Sequence, residues 1–254
     1  MKLSCFRASV STLTIATASA IALTSLPETA IATTLLSASG TWENPIGGEP
    51  TVEQISMGDE AMILWGTATT PDGKSGLGYL GVGASDIASD IPFLVGTLRH
   101  FNNPVAPPNV SSVELLINLN LADVGGSLVS RSFTFAFAVD ETVNATPCLY
   151  ASTIPCADRI SFLNPTTSET FDVAGTAYTL ELLGFSDRPT PDGAFVNEFI
   201  SEEQATNTAF LFGKLTAAVP RSVPEPGAIV PLALLGICLG IRGKDKKSRM
   251  KDKK

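Results

Sequence analysis

Between residues 132 and 139 the chain reads Ser-Phe-Thr-Phe-Ala-Phe-Ala-Val, with an apolar ring at every second position of its first six residues. Successive side chains of a β-strand point to opposite faces, so Phe133, Phe135 and Phe137 share one face of a sheet. The opposite face carries small or polar residues. A strand with one strongly apolar face needs a second layer to cover it, and this favours a layered β fold.

Several other segments have the composition and the length of strands. The further candidates are Val113–Leu121, Tyr178–Phe185, Glu60–Trp65, Gly78–Val82, Phe93–Arg99, Arg159–Phe162 and Thr208–Leu215. Turn-forming sequences such as Pro71-Asp72-Gly73 separate them. Only Glu198–Thr206 indicates a helical turn, with an acidic loop as the alternative. Eight or so strands in roughly 190 residues predict an all-β fold, a single jelly-roll-like β-sandwich, although another closed arrangement fits the same pattern.

Residues 1–32 have the pattern of a signal peptide. Lys2 and Arg7 precede a long apolar stretch, and Ala30-Ile31-Ala32 closes it with the small-residue arrangement that signal peptidase cleaves. The many Thr and Ser residues in this stretch argue against a permanent membrane span. Cleavage is expected near Ala32, with Ala20 as a second candidate site. The alternative interpretation is an ordinary amphipathic helix.

Residues 223–254 contain three ordered elements. The motif Val223-Pro224-Glu225-Pro226 precedes an apolar run over 227–241, and a tail over 242–254 has eight basic and two acidic residues. As a helix, the run would span about 22 Å, which is short for a hydrocarbon core of about 30 Å. The basic tail should stay cytoplasmic. With the signal peptide, this topology predicts that residues 33–222 are an ectodomain beyond the inner membrane.

The C-terminal pattern resembles the PEP-CTERM sorting signal. In the bacteria that use this signal, a membrane enzyme called exosortase processes proteins that carry it, usually in strains that make exopolysaccharide. The resemblance implies a transmembrane helix near 227–241 that holds the precursor in the inner membrane until processing. It also implies transient contact with exosortase and with signal peptidase. A plain C-terminal transmembrane tail is the alternative, and it predicts nearly the same orientation without processing.

The body of the chain carries a second resemblance. The motifs, in order, are Ser39-Gly40-Thr41-Trp42, Trp65-Gly66, the stretch from Phe93 to Pro104, Glu141-Thr142-Val143-Asn144 and Gly184-Phe185. They are similar to the choice-of-anchor K domain, a family of exported bacterial proteins with varying C-terminal anchors. The resemblance covers residues 37–217. It implies no catalytic residue, because the family has no established activity.

Charge and cysteine positions narrow the function classes further. Residues 33–226 contain 7 basic and 22 acidic residues, a net charge of −15. Nucleic acid would repel such a body, so no nucleic-acid partner is expected. Cys148 and Cys156 are the two cysteines of the body, and in an exported domain they most simply form a disulfide, with two thiols as the alternative. A tetrahedral metal site is not expected from a chain with one histidine.

The chain offers few candidates for chemistry. His100 is the single histidine, and no nucleophile motif accompanies it, so no catalytic residue is predicted. We expect His100 and Asn102 to hydrogen-bond a strand-to-loop corner near Pro104, with a ligand contact of His100 as the alternative. Trp42 and Trp65 are expected in the core, with a sugar-stacking platform as the alternative. Calcium, the one cofactor considered, would need the acidic turn residues Asp72, Asp86, Asp90, Asp140, Glu141, Asp158, Asp187 and Asp192.

These features together predict a non-enzymatic, exported protein of the cell surface or extracellular matrix. Its expected role is structural or adhesive, with exopolysaccharide as a partner. A carbohydrate-binding module is the first alternative, and it requires Trp42 or Trp65 in an exposed groove. A hydrolase of extracellular polymer is the second alternative, and it requires His100 to meet a nucleophile or a carboxylate in a cleft.

Overall fold

A computed structural model describes residues 33–122, 125–150, 152–164, 168–173 and 175–218. The predicted signal peptide, the Pro-Glu-Pro motif, the apolar run 227–241 and the basic tail lie outside the described residues. Within the described ranges the chain is all-β and has no α-helix. It follows that none of the described elements is a helix of the length and hydropathy that a membrane crossing requires.

Fifteen strands make up the described fold. They are β1 (Thr33–Gly47), β2 (Glu53–Met57), β3 (Glu60–Trp65), β4 (Thr67–Ala68), β5 (Ser75–Gly81), β6 (Ser85–Ile87), β7 (Pro92–Asn102), β8 (Val105–Ala106), β9 (Val110–Ala122), β10 (Leu128–Asp140), β11 (Asp158–Phe162), β12 (Ser168–Val173), β13 (Thr176–Ser186), β14 (Glu198–Ser201) and β15 (Ala205–Ala217). Every strand predicted from the sequence is present, and most extend a few residues beyond the predicted ends.

The strands form two large antiparallel sheets and one small one. The first sheet has the order β14-β11-β10-β9-β1-β6, the second has the order β12-β13-β15-β7-β5-β3-β2, and β4 pairs with β8. Chain neighbours are often sheet neighbours, since β9, β10 and β11 form one meander and β2, β3, β5 and β7 form another. The chain also passes between the two large sheets several times, for example from β1 to β2 and from β11 to β12, and the jelly-roll-like part of the prediction stays a prediction.

The two large sheets share one hydrophobic core. Phe133, Phe135 and Phe137 are all buried on the same face of β10, as their alternation predicts. Phe137 stacks across the core on Phe185 of β13, with ring centroids 6.0 Å apart. Such an aromatic pair contributes about 0.5–1.5 kcal/mol beyond the burial of its area. Two sheets facing one apolar core are consistent with the predicted β-sandwich.

Seven of the fifteen described strands were not predicted from the sequence: β1, β2, β4, β6, β8, β12 and β14. Two of them, β1 and β14, show why. β1 was not among the candidates, because register shifts between Leu35 and Ser37 and between Glu43 and Ile46 break its alternation of buried and exposed residues. The segment after Glu198 is not a helical turn. Residues Glu198–Ser201 form β14, the edge strand, because they pair along β11, and this pairing outweighs the weak local preference of an acidic segment.

Candidate functional site

A group of buried polar side chains lies between the two large sheets, and we call it the buried polar cluster. Its members are Ser75, His100, Asn102, Glu141, Asp158 and Ser201. All of them except Glu141, which is partly buried, are fully shielded from solvent. Buried polar groups are costly unless they are paired, so the contacts of these side chains define what the cluster can do.

β7 supplies the centre of the cluster. Its inward-facing positions follow the strand period of two, so His100 and Asn102 continue the buried row that begins with apolar residues such as Leu98. The Nδ1 atom of His100 lies 2.7 Å from Oγ of Ser201, and Nδ2 of Asn102 donates to the backbone oxygen of Ser201 at 2.9 Å. These two side chains therefore join β7 to β14 of the other sheet, rather than closing a corner near Pro104.

His100 is held as a neutral imidazole. Its ring stacks on Trp65 with a centroid distance of 6.1 Å and an interplanar angle of 24°. Its Nε2 atom faces Oγ of Ser75 at 3.5 Å. Complete burial lowers the pKa of His100 to about 3, because removal from water disfavours the charged ring. One ring nitrogen therefore keeps a lone pair at neutral pH.

Two carboxylates meet this imidazole. Oε1 of Glu141 accepts a hydrogen bond from Nε1 of Trp65 at 2.7 Å, and Oδ1 of Asp158 accepts one from the backbone N of Thr142 at 2.7 Å. The other oxygen of Asp158, Oδ2, is buried and has no hydrogen-bond partner among the described residues. Ligand atoms of His100, Glu141 and Asp158 all lie within 4.8 Å of one another.

The electrostatics of this carboxylate pair follow from burial. Burial raises the pKa of Asp158 to about 8, and the charge of Glu141 adds to the shift. Burial also raises the pKa of Glu141, although hydrogen bonds with Ser75, Trp65 and Asp158 oppose the shift. Burial therefore favours states of the pair in which a proton or a positive ion reduces its charge.

The cluster contains the residue types of a serine hydrolase, but these residues are buried where no substrate can reach them. Ser75 and Ser201 are both fully buried between the sheets, so neither hydroxyl is accessible to an external polymer in this conformation. An imidazole with a pKa near 3 is also a weak general base at neutral pH. What the arrangement can do is hold protons or a small cation.

The two tryptophans occupy the core. Trp42 is 2% exposed and Trp65 is fully buried. The indole N–H of Trp42 donates to the backbone oxygen of Ala61 at 2.9 Å, and its ring packs edge-on against Phe137. Neither indole presents an open ring face on which a sugar could stack, and this burial supports the core interpretation over the platform.

The disulfide lies in the long loop between β10 and β11. The sulfur atoms of Cys148 and Cys156 are at disulfide distance, which confirms the predicted pairing. The loop begins at Glu141 and leads to Asp158, so both carboxylates of the cluster flank it. Asn144 connects the two ends of this loop, because its Oδ1 accepts a hydrogen bond from the backbone N–H of Cys156 at 2.6 Å. The disulfide loop thus restrains the segment that carries the carboxylate pair.

Comparison with known proteins assigns this chain to no family. No protein-family model matches this chain, and no curated protein matches it either. The resemblances to the PEP-CTERM signal and to the choice-of-anchor K domain therefore stay predictions.

Most of these residues were considered one at a time in the sequence, and their proximity in the fold was not predicted. Of the eight acidic residues considered for calcium, the structure brings Glu141 and Asp158 into one three-ligand group with His100. Ser75 and Ser201 carried no signal in the sequence, because serine near a strand end is common in β proteins. The one available hint was His100 itself, a titratable side chain in the inward row of a predicted strand.

Proposed function

We propose that this chain is an exported protein of the cell surface or extracellular matrix, matured by signal peptidase and exosortase. Its β-sandwich ectodomain would contribute a structural or adhesive element to the exopolysaccharide layer. The observation that carries the proposal is the combination of the two terminal patterns with a disulfide in the body between them. Disulfides persist in oxidising compartments, so the pair Cys148 and Cys156 supports a location outside the cytosol.

The two rival functions receive less support from the geometry. A carbohydrate-binding module built on Trp42 or Trp65 lacks an exposed ring, since both indoles pack in the core. A hydrolase built on His100 lacks substrate access, since both serines beside it are fully buried. A cluster that joins the two sheets instead suits a domain whose task is to persist as a rigid unit outside the cell.

The test is mass spectrometry of the surface and secreted fractions of a bacterium that expresses the full chain. The proposal expects a new N-terminus near Ala32 and loss of the chain after the motif Val223-Pro224-Glu225-Pro226. It also expects a mass two hydrogens lower for the peptide that contains both body cysteines. An intact chain from Met1 to Lys254 in the soluble cytosolic fraction would contradict it.

A matched pair of variants separates sorting from simple membrane retention. Pro224→Ala alters the motif, and Pro220→Ala alters a nearby proline outside it. We expect the first variant to accumulate as an unprocessed precursor in the inner membrane and the second to mature normally. If the C-terminal tail remains on the wild type and on both variants, the segment is a plain transmembrane tail and the exosortase part of the proposal fails.

A further inference from the structure

We propose that the buried polar cluster is a binding site for one divalent transition-metal ion, with Zn²⁺ as the ion that fits best. The ligands would be one ring nitrogen of His100 and carboxylate oxygens of Glu141 and Asp158. The proposed site is independent of the export proposal, because it rests on the interior of the domain and not on its ends.

The placement of the donor atoms supports a metal site. One donor from each of the three residues lies within 4.8 Å of the other two. Two ligands of a tetrahedral Zn²⁺ ion lie about 3.4 Å apart when each bond is about 2.1 Å long. Small side-chain rotations toward a common centre would close the difference. Oδ2 of Asp158 receives no hydrogen bond from an N–H or O–H donor among the described residues, and the ion would replace the hydrogen bond that the Asp158 and Glu141 carboxyl groups share.

The orientation of His100 also supports a metal site. When Nδ1 carries the proton, it donates to Oγ of Ser201, which lies 2.7 Å away. The lone pair then resides on Nε2, whose contact with Oγ of Ser75 is long at 3.5 Å. Ligating histidines typically donate their other ring N–H to an oxygen that fixes the ring in this manner. Ser201 therefore acts as the positioning residue for the proposed ligand.

The charge of the carboxylate pair favours a cation as well. Glu141 and Asp158 place two carboxylates side by side, and the neighbouring cation Arg159 pairs instead with Asp140 and Glu198. A divalent ion would neutralise both carboxylates at once without adding net charge to the interior. The carboxamide oxygen of Asn102, two residues after His100 on β7, is also buried and has no hydrogen-bond partner among the described residues.

The donor set selects the class of metal. Imidazole suits Zn²⁺ and related transition metals, whereas Ca²⁺ prefers six to eight oxygen ligands in an open, flexible shell. One imidazole and two carboxylates in a closed space therefore favour Zn²⁺ over Ca²⁺. This choice departs from the calcium considered on the basis of the acidic turns.

The experiment uses the full chain without a histidine tag, purified in mild detergent and stripped of metal with a chelator. Zn²⁺ alone is then titrated and followed by calorimetry and by the thermal unfolding midpoint. We expect one Zn²⁺ per chain. At about 100 times its Kd the ion should raise the midpoint by roughly 5–10 °C.

Two variants and a control assign the ligands. Asp158→Asn and His100→Gln keep the size of the side chain, and each should weaken Zn²⁺ binding about 10-fold or more. Asp192→Asn removes a fully exposed carboxylate and should leave binding unchanged. Equal binding by all four proteins would assign the ion to the surface and overturn the proposal, as would tighter binding of Ca²⁺ than of Zn²⁺ at the same residues.

A spectroscopic readout covers the case in which a variant fails to fold. The chain has one histidine, so selective ¹⁵N labelling of histidine produces a single pair of ring-nitrogen signals. Coordination should shift one of the two signals strongly in the wild-type protein, while the other keeps the position of an N–H donor. If Zn²⁺ leaves both signals unchanged, His100 is not a ligand and the proposal is wrong.

Discussion

Tyr79 offers a direct test of how the two sheets pack. Its ring is fully buried on β5, and its hydroxyl donates to the backbone oxygen of Val95 at 2.9 Å. Gly40 of β1 and Gly96 of β7 both pack against this ring. A Cβ atom on Gly96 would lie 2.5 Å from Cζ of Tyr79, and one on Gly40 would lie 2.7 Å from Cε1. We therefore predict that Gly96→Ala destabilises the domain.

The magnitude follows from the overlap. An ordinary contact between two carbon atoms is about 3.5–4.0 Å, so the added methyl group would overlap the ring by about 1 Å. The ring is confined by the core and cannot move aside cheaply. Overpacking of this kind typically costs about 1–3 kcal/mol, which corresponds to a lower unfolding midpoint by roughly 2–12 °C for a domain of this size.

The control is Gly83→Ala, because a Cβ atom at Gly83 would meet nothing within 4 Å. There the substitution should be neutral or should stabilise by up to about 1 kcal/mol through the unfolded chain. Thermal unfolding followed by circular dichroism compares the two variants with the wild type. The double variant Gly96→Ala/Tyr79→Leu should lose less free energy of unfolding than the two single variants lose together, because the smaller side chain relieves the overlap. Equal midpoints for Gly96→Ala and Gly83→Ala would refute the packing argument.

Three further predictions concern the core, the disulfide and the carboxylate pair. Phe137→Ala should lower the free energy of unfolding by about 3–5 kcal/mol in urea titrations, whereas Leu128→Ala, at a residue 73% exposed, should change it by less than about 0.5 kcal/mol. Replacing both Cys148 and Cys156 with serine should cost about 2.5 kcal/mol by the loop-entropy relation, and a reductant should then have no further effect on this variant. In chelator, the pKa of Asp158, raised from 3.8 to about 8, means that the native state keeps a proton that the unfolded chain has released. The stability of the wild type should therefore fall, relative to Asp158→Asn, by up to about 1.4 kcal/mol per pH unit between pH 4 and 8 and stay level above pH 8, and a constant difference across that window would contradict the assignment.

Local patterns were sufficient to predict eight of the fifteen described strands, including all the long strands except β1. In β10 and β9 the alternation of apolar and polar residues survives in the structure as an alternation of buried and less buried positions. Such segments are predictable because one face of a strand must be apolar wherever a sheet covers a core. The disulfide was predictable for a similar reason, since its two cysteines are eight positions apart and need only one loop to bring them together.

β1 and β14 show where local patterns fail. Bulges in β1 shift its register, so its buried residues do not follow a single period of two. β14 is short and lies at the edge of its sheet, and its extended backbone depends on hydrogen bonds to β11. In both strands the conformation comes from the partner strand more than from the residues themselves.

The sequence by itself determined the class of fold, the acidic character of the body and the cysteine pair, because each of these depends on composition or on residues close together in the chain. Only the tertiary structure decided that Ser75, His100, Glu141, Asp158 and Ser201 meet in one buried cluster. These residues come from five separate segments, and strand pairing and sheet packing alone bring them within reach of one another. Burial then shifts the pKa values of His100 and Asp158 away from those that the same side chains have in water.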